Sequence, residues 1–398
     1  MKKDYNKLTY SLGNSYYRNY EIIISIGDET LSSDFNLSEY VSTGIETIVK
    51  GVVKASFRNP KETAFILKYA LSSKEAKKKR ESFQRKGENI PAFLISSITS
   101  SCNLFCKGCY ARENNSCGEE VQKQHLPTER WESIFMEAKD MGISFILLAG
   151  GEPLMRKDVI EKAAKVKEIM FPIFTNGTML QEEYIKLFDK NRNLLPILSI
   201  EGDLEQTDGR RGTGTYEILM NVMDNLKKKG ILYGASITVT TENINTVTSK
   251  AFFDKLYNKG CRALVFVEYV PVTKETKHLA PTDNEREILE EEQQKLRELY
   301  EDAIFISFPG DEKYSGGCLA AGRGFFHINV DGSAEPCPFS PYSDTNLKDC
   351  TLREALKSPL FMKLHETGML LGEHAGGCIL FEKENEVKEL ISSCVEVD

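Results

Sequence analysis

The feature that most constrains the fold is a regular alternation of short apolar runs and amphipathic stretches after Pro91. Six apolar runs have the length of strands: Ala92–Ile98, Ser144–Leu148, Phe171–Phe174, Pro196–Ile200, Gly234–Val239 and Ala263–Val267. The stretches between them have helical periodicity: Thr128–Met141, Lys157–Met170, Gln181–Asp189, Thr215–Lys229 and Thr246–Lys259. Strands that alternate with helices form a parallel sheet with right-handed crossovers. The sequence therefore predicts an α/β core over residues 91–280.

Local signals mark where these helices begin and end. Thr128 and Thr246 are predicted N-caps, and Gly142, Gly230 and Gly260 stand where helices are expected to stop. In a parallel sheet, functional groups gather at the carboxyl ends of the strands, where the loops begin. We therefore expect the motifs that follow the strands to share one edge of the sheet.

The segments on either side of the core are predicted to be separate regions. Residues 1–90 form a mostly helical α+β prelude of unassigned role, with a strand at Glu21–Ile26, an amphipathic stretch at Ile45–Phe57 and a helix from Asn59 to Lys86. Residues 281–308 are a linker helix, represented by Asp283–Asp302. Residues 309–398 are rich in turn residues and cysteines, which predicts a small metal-stapled α+β domain.

Charge and hydropathy exclude several partners. The 398-residue chain has a net charge of −8, which provides no overall attraction to nucleic acid or to an anionic membrane. No apolar run approaches the roughly 18 residues of a spanning helix, and the N-terminal segment lacks the apolar core of a signal peptide. We therefore expect a cytoplasmic protein. Because thiols stay reduced there, the ten cysteines are predicted to be metal ligands or catalytic groups.

Three of these cysteines follow the first predicted strand, in the segment Ser101-Cys-Asn-Leu-Phe-Cys-Lys-Gly-Cys-Tyr. Cys102, Cys106 and Cys109 have the spacing C-x3-C-x2-C and can converge from one loop. Three thiolates on a [4Fe–4S] cluster would leave one iron open to a substrate. Zinc, with Cys117 as the fourth ligand, is the alternative.

Further polar motifs follow the next three strands. Ala149-Gly-Gly-Glu-Pro-Leu combines glycines, which permit a close backbone approach, with a carboxylate that can accept hydrogen bonds from an ammonium group. Phe174-Thr-Asn-Gly-Thr and Leu198-Ser-Ile-Glu-Gly-Asp follow the third and fourth strands. Arg210 and Arg211 can donate charge-assisted hydrogen bonds to a carboxylate.

The cysteine loop and the Gly-Gly-Glu-Pro motif resemble the radical SAM superfamily, and the resemblance covers roughly residues 92–270. It implies a partial (β/α)6 TIM-like barrel in which Cys102, Cys106 and Cys109 hold a [4Fe–4S] cluster. It also implies reductive cleavage of S-adenosylmethionine (SAM) to a 5′-deoxyadenosyl radical that abstracts hydrogen from a substrate. The implied SAM-binding residues are Gly150, Gly151, Glu152, Pro153, Thr175, Asn176, Ser199, Glu201, Arg211 and Tyr110. The sequence departs from the family at Gly108, where an aromatic residue is common; Tyr110 follows the cysteine instead.

A second group of cysteines surrounds a predicted hairpin. Phe325–Val330 and Ser333–Cys337 are strands, and Asp331 with Gly332 forms the turn. The pattern C-x13-G-x4-C from Cys318 resembles the SPASM/Twitch extension of radical SAM proteins, which carries auxiliary Fe–S clusters. The resemblance implies one such cluster held by Cys318, Cys337 and Cys378, with Cys350 as a candidate fourth ligand. Zinc is the alternative here also, and His327 is interpreted as a packing residue.

The sequence therefore predicts a radical SAM enzyme with one auxiliary [4Fe–4S] cluster. Its predicted partners are a peptide, protein or small-molecule substrate and a low-potential electron donor of the ferredoxin or flavodoxin type. A zinc-binding, non-catalytic interaction module is the alternative function. An electron carrier ranks last, because it would need neither the barrel nor the Gly-Gly-Glu-Pro motif.

Overall fold

The computed structural model describes residues 37–56, 59–118, 124–271, 275–371 and 378–395. The strand predicted at Glu21–Ile26 lies outside the described residues. The remaining elements can be compared with the sequence directly.

The described residues contain nine strands in one sheet. They are β1 (Phe93–Ser97), β2 (Phe145–Ala149), β3 (Phe171–Thr175), β4 (Leu194–Ser199), β5 (Gly234–Val239), β6 (Ala263–Glu268), β7 (Ile304–Phe308), β8 (His327–Ile328) and β9 (Ala334–Glu335). Their order is β7-β6-β5-β4-β3-β2-β1-β8-β9. Every neighbouring pair is parallel except β8 and β9. The six predicted strands are confirmed as β1–β6, with small shifts at their ends.

The helices of the described residues surround this sheet in chain order. They are α1 (Leu37–Ser56), α2 (Pro60–Gln84), α3 (Tyr110–Glu113), α4 (Thr128–Met141), α5 (Lys157–Ala163), α6 (Glu182–Lys190), α7 (Leu204–Arg211), α8 (Thr215–Lys229), α9 (Ile244–Val247), α10 (Lys250–Lys259), α11 (Asp283–Leu299), α12 (Leu352–Ala355), α13 (Pro359–Glu366), α14 (Ile379–Glu382) and α15 (Glu384–Val395). None of the helices in these ranges combines the length and the apolar character needed to cross a membrane.

Helix ends follow the sequence signals in part. Gly142, Gly230 and Gly260 are C-caps in the left-handed conformation, as predicted. Both predicted N-caps are wrong. Thr128 is the first helical residue after Pro127, and the helix expected from Thr246 is divided into α9 and α10. The Ser249 hydroxyl accepts a hydrogen bond from the amide of Phe252 at 3.2 Å, which starts α10 at a new N-cap.

The helix predicted at Lys157–Met170 ends early, at Ala163. The side-chain amide of Asn193 donates hydrogen bonds to the carbonyl oxygens of Ala163 at 3.1 Å and Val166 at 3.0 Å. These bonds satisfy carbonyls that an α-helix would otherwise have used, so the following segment runs as turns into β3.

The linker prediction is corrected by β7. Residues 281–308 contain α11 as expected, but the segment ends in a parallel strand that pairs with β6 from Ala263↔Ile304 to Val267↔Phe308. Its alternating burial is that of a half-buried strand. The linker therefore ends as part of the core sheet.

The C-terminal hairpin also belongs to this sheet. The predicted antiparallel pairing is confirmed by His327↔Glu335 and Ile328↔Ala334, with Gly332 in the turn at a φ of +91°. However, β8 pairs in parallel with β1 through Ile95↔His327 and Ser96↔Ile328. The hairpin thus extends the sheet beyond β1, contrary to the expectation that residues 309–398 do not continue the core.

Two buried contacts of α2 attach it to the sheet. The Tyr69 hydroxyl donates a hydrogen bond to the carbonyl of Ser144 at 2.7 Å. Glu62 and Arg192 form an ion pair at 2.6 Å, with 4% and 6% of their side chains exposed. Residues 60–84 are therefore packed into the body of the protein.

Candidate functional site

The first cysteine group lies on the loop between β1 and α3. Cys102, Cys106 and Cys109 are all half-buried, and Cys109 is the N-cap residue of α3. The loop leaves the carboxyl end of β1, the edge at which loops of a parallel sheet carry functional groups. Cys106 senses the charges of both other cysteines, so the three thiols form one electrostatic group.

The Cys102 thiol is the most acidic of those with a resolved shift in this loop. A hydrogen bond with Cys117, the amide of Leu104 and the guanidinium groups of Arg112 and Arg211 lower the pKa of Cys102 to about 6, against the opposing effect of burial. Thiolates are the form of cysteine that binds metals. Cys102 is therefore prepared as a ligand at neutral pH, and the sequence gave no signal of its contact with Cys117.

Gly150 and Gly151 hold the β2 loop against the cysteine loop. A Cβ atom on Gly150 would lie 2.4 Å from the carbonyl oxygen of Thr99, and Gly150 has a φ of +127°. A Cβ atom on Gly151 would lie 2.1 Å from the carbonyl oxygen of Ser101 and 3.1 Å from Cys102 Cβ. The amide of Gly151 donates to Thr99 at 2.8 Å. A side chain at Gly151 would therefore displace the backbone next to Cys102.

Glu152 is the next residue and is 1% exposed. Its Oε1 accepts hydrogen bonds from the Thr175 hydroxyl at 2.7 Å and the Leu154 amide at 3.0 Å, and its Oε2 accepts one from the Asn176 amide at 2.8 Å. Burial raises the pKa of Glu152 to about 7, although these hydrogen bonds oppose the shift. Pro153 begins the adjoining 3-10 helix Pro153–Met155. The structure therefore joins residues that the sequence placed on separate strands.

Asn103, which the sequence analysis did not single out, links the cysteine loop to the loop after β3. The side-chain amide of Asn176 donates to Asn103 Oδ1 at 2.9 Å, and that of Asn103 donates to the Thr178 hydroxyl at 2.8 Å. Both bonds cross from the cysteine loop to the end of β3. The network fixes the relative positions of the two loops.

Glu201 makes ion pairs with both predicted arginines. Its Oε1 lies 2.6 Å from Arg210 Nη1 and 2.5 Å from Arg211 Nη2, and its Oε2 accepts a hydrogen bond from the Thr238 amide at 3.1 Å. Arg211 Nη1 lies 3.9 Å from Cys106 Sγ. Burial acts to lower the pKa of Arg211, but the charges of Glu201 and Cys106 outweigh it and leave the pKa raised. Glu201 therefore holds a cation beside the cysteine loop.

Ser199 and Tyr110 lie at different edges of this group. Ser199 is the last residue of β4 and pairs with Ser236 of β5. Tyr110 packs against Phe339, with ring centroids 4.9 Å apart, and burial raises the pKa of its phenol. Tyr110 thus contacts the segment that follows Cys337.

Gly108 allows another aromatic residue to approach the cysteine loop. It has a φ of +63°, and a Cβ atom there would lie 2.6 Å from the hydroxyl oxygen of Tyr269. Within the described residues, this buried hydroxyl has no hydrogen-bond partner. Tyr269 follows β6 and fills the space beside Gly108, a contact that sequence spacing does not reveal.

The second cysteine group assembles from three separate segments. Cys318 and Cys337 are buried and Cys378 is half-buried. A hydrogen bond with Cys337 and the amides of Phe381 and Leu380 lower the pKa of Cys378, while burial opposes them. Burial raises the pKa of Cys318 and Cys337, and the charges of the neighbouring cysteines act in the same direction. The structure therefore brings together the three predicted ligands.

Cys350 lies against α4. Arg130 donates a hydrogen bond to its carbonyl oxygen at 2.7 Å, and burial and the charge of Glu354 raise the pKa of its thiol. The adjoining Leu352 amide donates to Glu137 at 2.6 Å. These contacts hold Cys350 to α4, and the structure shows no interaction between it and the three grouped cysteines.

A buried hydrogen-bonded chain, not predicted from the sequence, connects β1 with the hairpin. The Ser97 hydroxyl lies 2.8 Å from His327 Nε2, and His327 Nδ1 lies 2.7 Å from Glu335 Oε2. Asn329 donates to the other oxygen of Glu335 at 2.6 Å. His327 is therefore a polar link between the two regions that carry the cysteine groups. Strand alternation alone could have placed Ser97 and Ile95 on one face, but not His327 beside them.

The two cysteine groups fit clusters with one thiolate on each ligated iron. Among the described residues, no three Cys, His, Asp or Glu side chains converge tightly enough to hold a single metal ion. Zinc requires all its ligands within about 2.0–2.3 Å of one ion. An Fe–S cluster distributes its thiolates over several irons and so accepts a wider grouping.

Comparison with known proteins gives several matches. Residues 96–252 match the family model of the radical SAM superfamily. The AdoMet-dependent heme synthase of Methanosarcina barkeri (strain Fusaro / DSM 804) is 26% identical over 334 residues, which cover 77% of this chain and 91% of the relative. The PqqA peptide cyclase of Rhizobium meliloti (strain 1021) is 26% identical over 265 residues, which cover 62% of this chain and 67% of the relative.

Solved structures of Streptococcus suis SuiB have a similar fold. SuiB bound to S-adenosylmethionine has a TM-score of 0.62 at 18% identity, covering 76% of this chain and 77% of SuiB. SuiB bound to the precursor peptide SuiA has a TM-score of 0.61 at 17% identity, covering 81% of this chain and 78% of SuiB. This likeness confirms the predicted partial barrel.

Proposed function

The chain belongs to the radical SAM superfamily and is an enzyme that uses a [4Fe–4S] cluster and S-adenosylmethionine, and we propose that Cys102, Cys106 and Cys109 hold that cluster. When bound, the cluster supplies the electron that cleaves SAM to a 5′-deoxyadenosyl radical. The observation that carries the ligand assignment is the contact of the cysteine loop with Gly151 and Arg211 at one edge of the sheet.

The residues around the loop are proposed to bind SAM. Glu152 is buried beside Thr175 and Asn176 and presents a carboxylate to which the SAM ammonium group can donate. Gly150 and Pro153 position that carboxylate at the end of β2. Ser199 and Tyr110 remain proposed contacts of SAM at the ends of β4 and of the cysteine loop.

We assign different roles to Glu201 and Arg211. The carboxylate of Glu201 is occupied by Arg210, Arg211 and the Thr238 amide, so it acts as a positioning residue rather than as a direct SAM ligand. The Arg211 guanidinium lies beside Cys106, where it can donate charge-assisted hydrogen bonds to the SAM carboxylate.

The second cysteine group is proposed to hold one auxiliary Fe–S cluster through Cys318, Cys337 and Cys378. Three buried or half-buried thiols share one electrostatic group there, as the first group does at its loop. The zinc-binding module is not favoured, because the family match identifies SAM-dependent radical chemistry.

We propose a peptide substrate, supported by the PqqA peptide cyclase among the relatives and by the precursor peptide bound to SuiB. A haem precursor is the second candidate, because the match to the AdoMet-dependent heme synthase spans 91% of that relative. Titration with an iron porphyrin separates them. A shift of the porphyrin absorption band that saturates at one equivalent favours the second candidate, and no shift favours the peptide.

Anaerobic reconstitution tests the proposed function. The protein should bind about eight irons in two clusters and form 5′-deoxyadenosine from SAM under dithionite, which replaces the low-potential ferredoxin or flavodoxin. Iron content near zero after reconstitution would refute the cluster assignments.

A further inference from the structure

A buried glutamate lies beside the second cysteine group. Glu312 belongs to the 3-10 helix Gly310–Ser315, shortly before Cys318, and is 4% exposed. Within the described residues, its Oε1 atom has no hydrogen-bond partner. A buried polar atom without a partner costs free energy, because it has lost its water without replacement. The position therefore requires a group that can bind a carboxylate oxygen.

The contacts of Glu312 point to the cysteines. Its carboxylate forms a hydrogen bond with the Cys318 thiol, accepts another from the Leu319 amide, and lies within the electrostatic influence of Cys378. Burial, and next the charge of Cys378, raise the pKa of Glu312 to about 8. Glu312 is thus placed against two of the three proposed cluster ligands.

The backbone between Glu312 and Cys318 is held by side chains. The Ser315 hydroxyl lies within hydrogen-bond distance of the carbonyl oxygens of Glu312 at 2.7 Å and Gly317 at 2.6 Å. Arg323 donates to the carbonyl oxygen of Cys318 at 2.5 Å, and its charge acts on both Cys318 and Glu312. The local structure fixes the carboxylate next to the thiols, and Arg323 compensates part of their negative charge.

We propose that Glu312 is the fourth ligand of the auxiliary cluster, completing a set of three thiolates and one carboxylate. This proposal rests on the proposed function, because it presupposes a cluster at Cys318, Cys337 and Cys378. A carboxylate carries the same negative charge as a thiolate and binds iron through oxygen. With Glu312 bound, every iron of the auxiliary cluster has a protein ligand. The substrate then binds away from that cluster, unlike SAM at the open iron of the first.

The test uses a full-length chain in which the first cluster is removed. The variant Cys102→Ala/Cys106→Ala/Cys109→Ala should retain about four irons in the auxiliary cluster. Glu312→Ala in this background should lose one iron in four on mild oxidation and give the electron paramagnetic resonance signal of a [3Fe–4S] cluster. Glu312→Cys should restore the iron content, because it supplies a fourth thiolate, and should remove the Mössbauer component of an oxygen-ligated iron.

Cys350→Ala in the same background is the matched control and should leave the iron content and both spectra unchanged. If Glu312→Ala also leaves them unchanged, Glu312 is not a ligand and the proposal is wrong. Loss of iron with Cys350→Ala but not with Glu312→Ala would assign the fourth position to Cys350. A triple cysteine variant that binds no iron would instead refute the auxiliary cluster itself, which separates failure of the proposed function from failure of the Glu312 assignment.

Discussion

The two cysteine groups are built in opposite ways. Cys102, Cys106 and Cys109 come from one loop, are half-buried, and face a cationic side chain, Arg211. Cys318, Cys337 and Cys378 come from three segments, and two of them are buried. The first group is local, with its spacing written in consecutive residues. The second exists only after the hairpin has joined the sheet.

This difference has a functional consequence under the proposed assignments. An exposed loop with three ligands leaves one iron for SAM, whereas a buried site with a fourth protein ligand, Glu312, suits a cluster that exchanges electrons only. The chain Ser97–His327–Glu335 connects the two regions through buried hydrogen bonds. Their relative position is therefore fixed by polar contacts as well as by β1–β8 pairing.

The largest effect is expected at the loop. Cys106→Ala should abolish formation of 5′-deoxyadenosine, because the first cluster would lose one of its three protein ligands. The product is measured by chromatography after anaerobic incubation with SAM and dithionite. Cys394→Ala, in the C-terminal helix, is the control and should retain activity; SAM cleavage by Cys106→Ala would refute the ligand assignment.

A backbone change beside the loop should come next in size. In Gly151→Ala the new Cβ would lie 2.1 Å from the Ser101 carbonyl oxygen, so the backbone next to Cys102 must move. A displacement of this kind is expected to lower the rate of SAM cleavage about 100-fold. Gly44→Ala, a helical glycine with open space around it, should leave the rate unchanged. Equal rates for the two variants would show that contact between the loops is unimportant.

A smaller effect is expected from Glu201→Gln. The substitution removes the anionic partner of Arg210 and Arg211, so the cation beside Cys106 is held less firmly. We expect KM for SAM to rise about tenfold, or about 1.4 kcal/mol, with little change in kcat. Glu205→Gln, on the exposed face of α7, should leave KM unchanged. A loss confined to kcat would assign Glu201 a direct role instead.

The smallest expected difference is kinetic. When the reconstituted protein is treated with an iron chelator under air, the half-buried loop group should release its iron before the buried group. Two phases in the iron-release curve, the faster one absent from the triple loop variant, would support this order. A single phase in the wild-type protein would indicate that burial does not distinguish the centres.

Sequence reasoning succeeded where the information is local. The strands β1–β6 and the glycine caps follow from periodicity and from residues next to each helix end. It failed where distant residues decide the outcome: Asn193 ends α5, and β7 is recognisable only by its pairing with β6. The same limit applies to the site, because Glu312 has no spacing relation to Cys378 and His327 meets Ser97 only through sheet pairing.

The central claim, that one chain holds two independent clusters, is tested most directly by iron content in three proteins reconstituted together. These are the wild type, the triple loop variant, and the variant Cys318→Ala/Cys337→Ala/Cys378→Ala. We predict about eight, about four and about four irons per chain, respectively. Complete loss of iron from the loop variant, or full retention by the second variant, would contradict the account.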